Sequence, residues 1–412
     1  MTRRNRRTAA ARAVLTVVTA FGVLAGAALA GAAPAGAVPA GKRIAPGVTY
    51  RQFDVAAAAG PTRAHLLTVD LADPHVRVDL LHPGAVAARA TVSRLADSAG
   101  AVAGVNGDFF DITETQHPGV EATGASVGPA IADGRVLKAA VPDGQRFGPG
   151  LPPGTSTRDV FGVGTDRRAR LDRLSLTGAV DTPEGRFTLK GLNQYALPEN
   201  SVGAFTSRWG SASRERAVCG TDTQRSAPCS TDTYEVKVKD GRVVSAADKP
   251  GTGAIPADTT VLVGREEGAR QLRKLSVGNA VTVTHSLVAA SSSVPYAFAI
   301  GGFPVLRDGR ELSGLDNGTS AVRTVVGFEN GGRQLLILAL DGAAAYRSGM
   351  TVAEEAATMR SLGASDAFNL DGGGSSELVT RDAGASSVTI RNHPSAGAER
   401  PVANGVGVFT TS

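Results

Sequence analysis

The 412-residue chain is short of the side chains that usually announce a metal or a cofactor. It has two Cys, six His, one Trp and three Met, and aromatic residues make up 5%. The histidines (His65, His75, His82, His117, His285 and His393) show no metal-ligand spacing. His117 and His393 each precede a proline, a loop context that reads as surface. There is no GxxxxGK[ST] phosphate loop and no HExxH helix. GGSSE, Gly373 to Glu377, lacks the second glycine of a nucleophile elbow. Charge of one sign is missing too. Residues 1–37 hold five of the 43 basic residues and no acid, so the remainder carries 38 basic and 38 acidic side chains. The net charge of +5 therefore belongs to the leader, a general polyanion-binding surface is excluded, and no nucleic-acid partner is expected.

Glycine is abundant, at 51 residues, and with so few aromatics this fits strands and turns better than a helical bundle. The length allows two to three domain-sized units. Arg3, Arg4, Arg6, Arg7 and Arg12 form a basic head before an uncharged run from Val14 to Ala33, and Ala35-Gly36-Ala37 is a small-residue cleavage pattern. Residues 1–37 are thus expected to be an export signal, leaving no membrane span after cleavage and a secreted or envelope-associated protein; an uncleaved anchor is the alternative. Arg3-Arg4 hints at twin-arginine export. In an exported chain Cys219 and Cys229, closing CGTDTQRSAPC, are expected to form a disulfide.

Leu66–Leu71 and Val76–His82 alternate apolar and polar residues and read as strands. Thr91–Gly100 fits a capped helix, as does the run from Thr351, with Glu354 completing a capping box and Gly363 as the stop. The segment 151–295 has short β-like runs between Gly, Pro and Asp turns and groups no charges. The expected architecture is α+β: a mixed-sheet catalytic domain from residues 38–150 and 296–412, interrupted by a β-rich insertion at 151–295.

Three apolar runs end in polar residues. AVAGVNGDFFD delivers Asn106, Asp108 and Asp111; LLILALDG delivers Asp341; AFNLDGGGSSEL delivers Asn369, Asp371 and Glu377. Carboxylates at strand ends have their geometry fixed by the sheet, although Asp-Gly is also a common turn signal. Three successive glycines after Asp371 exceed what a turn needs, and they point to close approach of backbone to a ligand. Arg323 and the Glu399-Arg400 pair are candidate guanidinium and carboxylate partners, for phosphate or for structural ion pairs.

The runs VNGDFFD, AIGGFPVLRDG, VRTVVGFENGGRQLLILALDG, NLDGGGSSELV and HPSAGAERPVANGVGVF, in this order, resemble the phosphodiester glycosidase family, which includes the lysosomal uncovering enzyme. The resemblance spans about residues 100 to 410 outside the β-rich segment. It implies hydrolysis of a sugar–phosphate diester at the anomeric carbon, with a glycan or sugar phosphate as partner. By motif position it points to Asn106, Gly107, Asp108, Arg323, Asp341, Asn369, Asp371, Gly372, Gly373, Gly374, Ser375, Ser376, Glu399, Arg400 and Asn404. A second glycine is usual where Asp108 stands, which weakens the case for that residue.

Glycoside cleavage generally uses two carboxyl groups. The expected assignment is Asp371 as nucleophile or base and Asp341 or Glu377 as the second carboxyl. Arg323 and Arg400 would hold phosphate, and Asn106, Asn369 and Ser375 the sugar. The sequence requires no cofactor and leaves a divalent cation open. The competing readings are a metal-dependent phosphodiesterase using Asp341, Asp371 and Asn369 as oxygen ligands, and a non-catalytic glycan-binding or structural envelope protein.

Overall fold

The computed structural model describes residues 41–411, so the signal expected over residues 1–37 lies outside the described residues. Three sheets carry the described chain. The first has eight strands, and its centre is Gly60–Asp70, Gln334–Leu340, Thr324–Glu329, Asp366–Asn369 and Phe303–Arg307, in that order. QLLILAL shows no polar alternation because its strand is buried on both faces. Leu338 opposite Leu66 enters one core with Val325, and Ile337 opposite Leu67 enters the other with Val326.

A five-stranded sheet, ordered Thr389–Ile390, Leu378–Thr380, Ala103–Asn106, Gly405–Thr410 and Val76–Leu81, covers the second face, where Val105, Leu378 and Val406 join Leu67 and Ile337. The first face packs against the helix Val352–Ser361, whose Val352, Ala356 and Met359 are buried with Leu66 and Leu338. Each large apolar side chain so buried contributes about 1.5–3 kcal/mol. The helix begins as its sequence requires: Thr351 Oγ1 accepts from Glu354 N at 3.1 Å, and Thr351 N donates to Glu354 Oε2 at 2.8 Å.

The third sheet has eleven strands. It contains the 151–295 strands and also Ala130–Ala132, Arg135–Lys138 and Tyr296–Gly301. Cys219 and Cys229 are disulfide-bonded, ten residues apart. Two expectations need correction here. Within 151–295 Arg214 and Glu235 form a buried pair (2.8 Å), and Arg216 pairs with Glu114 from outside that segment (2.7 Å). His117 is not on the surface: it is buried, with Nδ1 2.5 Å from Glu114 Oε2 and Nε2 2.9 Å from the Ala227 carbonyl.

The α+β expectation also becomes a mostly-β fold. Among the described residues the α-helices are Val92–Ala99, Glu267–Leu272 and Val352–Ser361, the longest with ten residues. Antiparallel neighbours join through turns and need no crossover helix, which leaves few places for one. No helix among the described residues is long and apolar enough to cross a membrane.

Candidate active site

All three sheets contribute to one junction. The five-stranded sheet delivers Ala103–Asn106, the eight-stranded sheet Asp366–Asn369, and the eleven-stranded sheet Tyr296–Gly301. Two bonds tie the first two ends together: Asp371 N donates to the Gly107 carbonyl (2.8 Å), and Asn106 Nδ2 donates to the Asp371 carbonyl (2.7 Å). Asn106 Oδ1 accepts from Thr324 Oγ1 (2.7 Å) and Glu377 N (3.1 Å), so this buried amide is engaged on both atoms. It locks the backbone under Asp371 and has little left to offer a sugar.

The three glycines after Asp371 have three different causes. A Cβ on Gly372 would lie 2.6 Å from the Val322 carbonyl oxygen. Gly373 has φ +60°, a left-handed backbone with open space where a side chain would stand. A Cβ on Gly374 would overlap Arg400 Nη2 and lie 2.6 Å from its Cζ. The last glycine thus lets the guanidinium lie on the main chain. Arg400 Nη1 also donates to Ser375 Oγ at 3.3 Å.

Asp371 is half-buried, and its Oδ1 accepts from Gly372 N at 2.9 Å. Burial pushes its pKa up to about 6; Asp108 pushes the same way, against a Ser375 hydrogen bond, the Gly372 N–H and the Arg400 charge. Asp108 is fully buried and likewise raised to about 6 by burial, against the Gly128 N–H and the charges of Lys138 and Arg146. Its Oδ2 accepts from Gly128 N (2.6 Å), its backbone N donates to Asn404 Oδ1 (2.9 Å), and its Oδ1 has no protein partner. Gly301 permits this, since a Cβ there would lie 2.5 Å from Asp108 Oδ2. Lys138, also buried, is lowered to about 7 by burial and donates to the carbonyls of Val127, Gly128 and Ala139. Two carboxyls with pKa values lifted towards neutrality, beside a guanidinium, suit acid–base or nucleophilic work.

The other sequence candidates differ in how they are engaged. The Asp341 carboxylate is buried and bonded to His65 Nε2 (3.0 Å), His393 Nδ1 (3.0 Å) and Ala343 N (2.7 Å), with Tyr50 Oη 2.8 Å from His65 Nδ1. Although burial acts to raise it, these bonds hold its pKa below the ordinary value. The His393 side chain is 73% exposed. Arg323 turns away to the start of the Val352–Ser361 helix, where Nε donates to the Met350 carbonyl (2.9 Å) and Nη2 to that of Thr319 (2.8 Å). Glu377 is buried and raised to about 9, first by burial and then by its bond to Glu399, whose Oε2 accepts from Ser93 Oγ at 2.6 Å. Ser376 Oγ donates to Thr324 Oγ1 (3.1 Å), whose own proton goes to Asn106. Asn369 is buried with no protein partner on either side-chain polar atom. Asp111 is bonded to Thr123 N and Oγ1, both at 2.8 Å. Among the described residues no group of three or more His, Cys, Asp or Glu is arranged to hold a metal ion.

Arg323 lies 4.0 Å from Glu355, yet burial dominates and raises the Glu355 pKa to about 8, so its carboxyl is neutral at pH 7. From the unfolded value near 4.5 up to about 8 only the folded state keeps this proton, so its contribution falls as pH rises through that window. Glu355→Gln should therefore gain melting temperature relative to the parent between pH 5 and pH 9. A pH-independent difference in thermal unfolding would count against this assignment.

Residues 232–409 match the family described as phosphodiester glycosidase. The match covers less than half of the chain. The phosphodiester glycosidase match includes Asp371, the three glycines and Arg400; it begins inside the β-rich segment and leaves out Asn106 and Asp108. Two solved structures share the fold. A hypothetical protein from Synechocystis aligns at TM-score 0.67 and 20% identity over 89% of this chain, which spans 62% of that protein. A putative exported protein from Burkholderia pseudomallei aligns at TM-score 0.65 and 23% identity, over 85% of this chain and 74% of that one. The zebrafish N-acetylglucosamine-1-phosphodiester α-N-acetylglucosaminidase catalytic domain aligns at TM-score 0.44 and 16% identity over 89% of this chain and 85% of that one, too loosely to carry an argument. No curated protein matches the chain.

Proposed function

We propose that the chain is an exported hydrolase that cleaves a glycosyl phosphodiester at the sugar's anomeric carbon, releasing the sugar and a phosphomonoester. The observation that carries this reading is the contact between Arg400 and Gly374, which sets a guanidinium beside the Asp371 carboxylate. The phosphodiester glycosidase match over residues 232–409 supports the substrate class. The basic, uncharged-run composition of residues 1–37 and the Cys219–Cys229 disulfide support export.

Either Asp371 takes a proton from the water that attacks the anomeric carbon, or it attacks that carbon itself and water then hydrolyses the resulting glycosyl ester to free the sugar and Asp371. The bond from that carbon to the bridging oxygen breaks, and the electron pair leaves on phosphate. A phosphomonoester is a weak base, so charge stabilisation matters more than protonation, and Arg400 supplies it. Asp108 takes the second-carboxyl role in place of Asp341 and Glu377, because it follows Gly107, whose carbonyl accepts from Asp371 N, whereas Asp341 is bonded to two histidines and Glu377 to Glu399. Arg323, bonded to two carbonyls, is left out of phosphate binding. Ser375, which accepts from Arg400, and Asn404, which accepts from Asp108 N, hold these two groups in place.

Hydrolysis of α- and β-glycosyl 1-phosphodiesters in oxygen-18 water tests the bond assignment. The label is expected in the sugar. Label in the phosphomonoester would mean P–O cleavage and favour a metal-dependent phosphodiesterase. Saturable polysaccharide binding with no product from any diester would favour a glycan-binding protein.

A further inference from the structure

Arg146 has so far entered only as a charge that acts on Asp108. Its Cζ lies 5.0 Å from the ring centroid of Phe109 and 5.7 Å from that of Phe303, and the two rings stack at 6.1 Å. Phe109 follows Asp108 directly, and Phe303 is in register with Asn369, two residues before Asp371. The aromatic pair therefore holds this guanidinium at the strand ends that deliver both carboxyls. Asp108 and Asp371 both act on its charge, although burial is the larger influence and lowers its pKa.

Among the described residues the Arg146 side chain makes no hydrogen bond and no ion pair, in contrast with Arg214, Arg216 and Arg323. A guanidinium carries five donors in a fork that matches phosphate oxygens. The two rings hold this one by cation–π contact, which leaves the donors unused. Arg146 also borders an open cleft of about 470 Å³ whose other walls are Asp143 and residues 148–155, GPGLPPGT. Asp143 Oδ1 is occupied by Thr157 N (2.8 Å) and Oγ1 (2.9 Å). The rest of that wall is Gly, Pro, Leu and one Thr, with few groups to recognise a polar partner.

We propose that Arg146 is a second phosphate-binding residue of the site, acting with Arg400, and that the cleft it borders receives an apolar, alkyl-type aglycone of the diester. This rests on the glycosyl phosphodiester reading. A phosphate between two strand-end carboxyls needs more than one positive group to offset their repulsion. The Pro- and Gly-lined cleft has Arg146 in its wall, so the second ester substituent of a phosphate held by that residue would enter it.

Calorimetric titration with glucose 1-phosphate and N-acetylglucosamine 1-phosphate, both anomers, tests this without requiring turnover. Arg146→Met is expected to bind the sugar phosphate that the parent binds roughly 10- to 100-fold more weakly, as loss of a charge-assisted bond implies. Its affinity for the uncharged methyl glycoside should be unchanged. Arg146→Lys covers the case in which the Met variant unfolds, and should recover part of the affinity. An octyl glycosyl phosphodiester should bind the parent at least roughly tenfold more tightly than the methyl one, from burial of several methylenes. Undiminished binding by both Arg146 variants, with a loss in Arg400→Met, would overturn the role of Arg146 and leave the proposed function standing. Equal affinity for octyl and methyl diesters would overturn the aglycone cleft. If the parent binds none of these ligands, both the inference and the reading beneath it fail.

Discussion

Asp371→Asn is expected to lower kcat on a glycosyl phosphodiester by roughly 10³-fold, within the range for loss of a positioned acid–base group. The substitution keeps the side-chain shape and the oxygen that accepts from Gly372 N at 2.9 Å, so Arg400, Ser375 and the glycine turn should stay in place. It also has a signature in stability. The folded pKa of about 6 lies above the ordinary carboxylate value, so between about pH 4 and pH 6 the folded state holds a proton that the unfolded state has lost. Ionised Asp371 thus lowers stability above pH 6, and Asn removes that effect. The variant should unfold at the same temperature as the parent near pH 4 and at a higher one at pH 8. An inactive variant with a lower melting temperature at pH 8 would suggest damage to the fold; a fully active one would exclude Asp371 from the chemistry.

Gly374→Ala should be nearly as damaging without changing any charged or polar group. The added methyl would overlap the Arg400 guanidinium, which must then move. Loss of one preorganised electrostatic contact to a developing negative charge costs about 10²- to 10³-fold, and kcat/KM should drop by that order. Gly373→Ala is the informative comparison. Its methyl would meet nothing within 4 Å, while φ +60° imposes roughly 1–2 kcal/mol of backbone strain. That variant should be less stable yet retain activity within a few-fold. Kinetics and melting curves of the pair separate the effects, and equal activity losses would mean that the glycines serve only the turn.

How much of this was legible beforehand follows the range of the interactions. Local signals read well. The Thr351–Glu354 capping box, the Cys219–Cys229 loop and the runs that become Gly60–Asp70 and Val76–Leu81 all depend on residues near one another in the chain. The strand-end logic picked out Asn106, Asp108 and Asp371, whose strands meet at one junction, whereas the triple glycine was read as close approach of a ligand and the group that lies against Gly374 is the Arg400 guanidinium.

Pairings across hundreds of residues were not legible. Asp341 had the same strand-end signal as Asp371, but its partner His65 lies 276 residues away in an adjacent strand and commits it to a different hydrogen-bond network. Arg323 fitted the phosphate role until its donors were seen to satisfy the carbonyls of Met350 and Thr319. Asp108 looked weak where a glycine was usual, yet Gly128 and Gly301 make room for its carboxyl. Arg146 sits outside every regular element and had no local cue, since its ring partners Phe109 and Phe303 lie 37 and 157 residues away.

The central claim is that a sugar phosphate lies on the glycine turn with its phosphate at Arg400 and its anomeric carbon at residue 371. A crystal structure of the Asp371→Asn variant soaked with a glycosyl phosphodiester tests it most directly. The expected electron density shows phosphate oxygens within hydrogen-bond distance of the Arg400 guanidinium and the anomeric carbon next to side chain 371. Ligand bound instead at His65, Asp341 and His393, with the glycine turn unoccupied, would contradict the account.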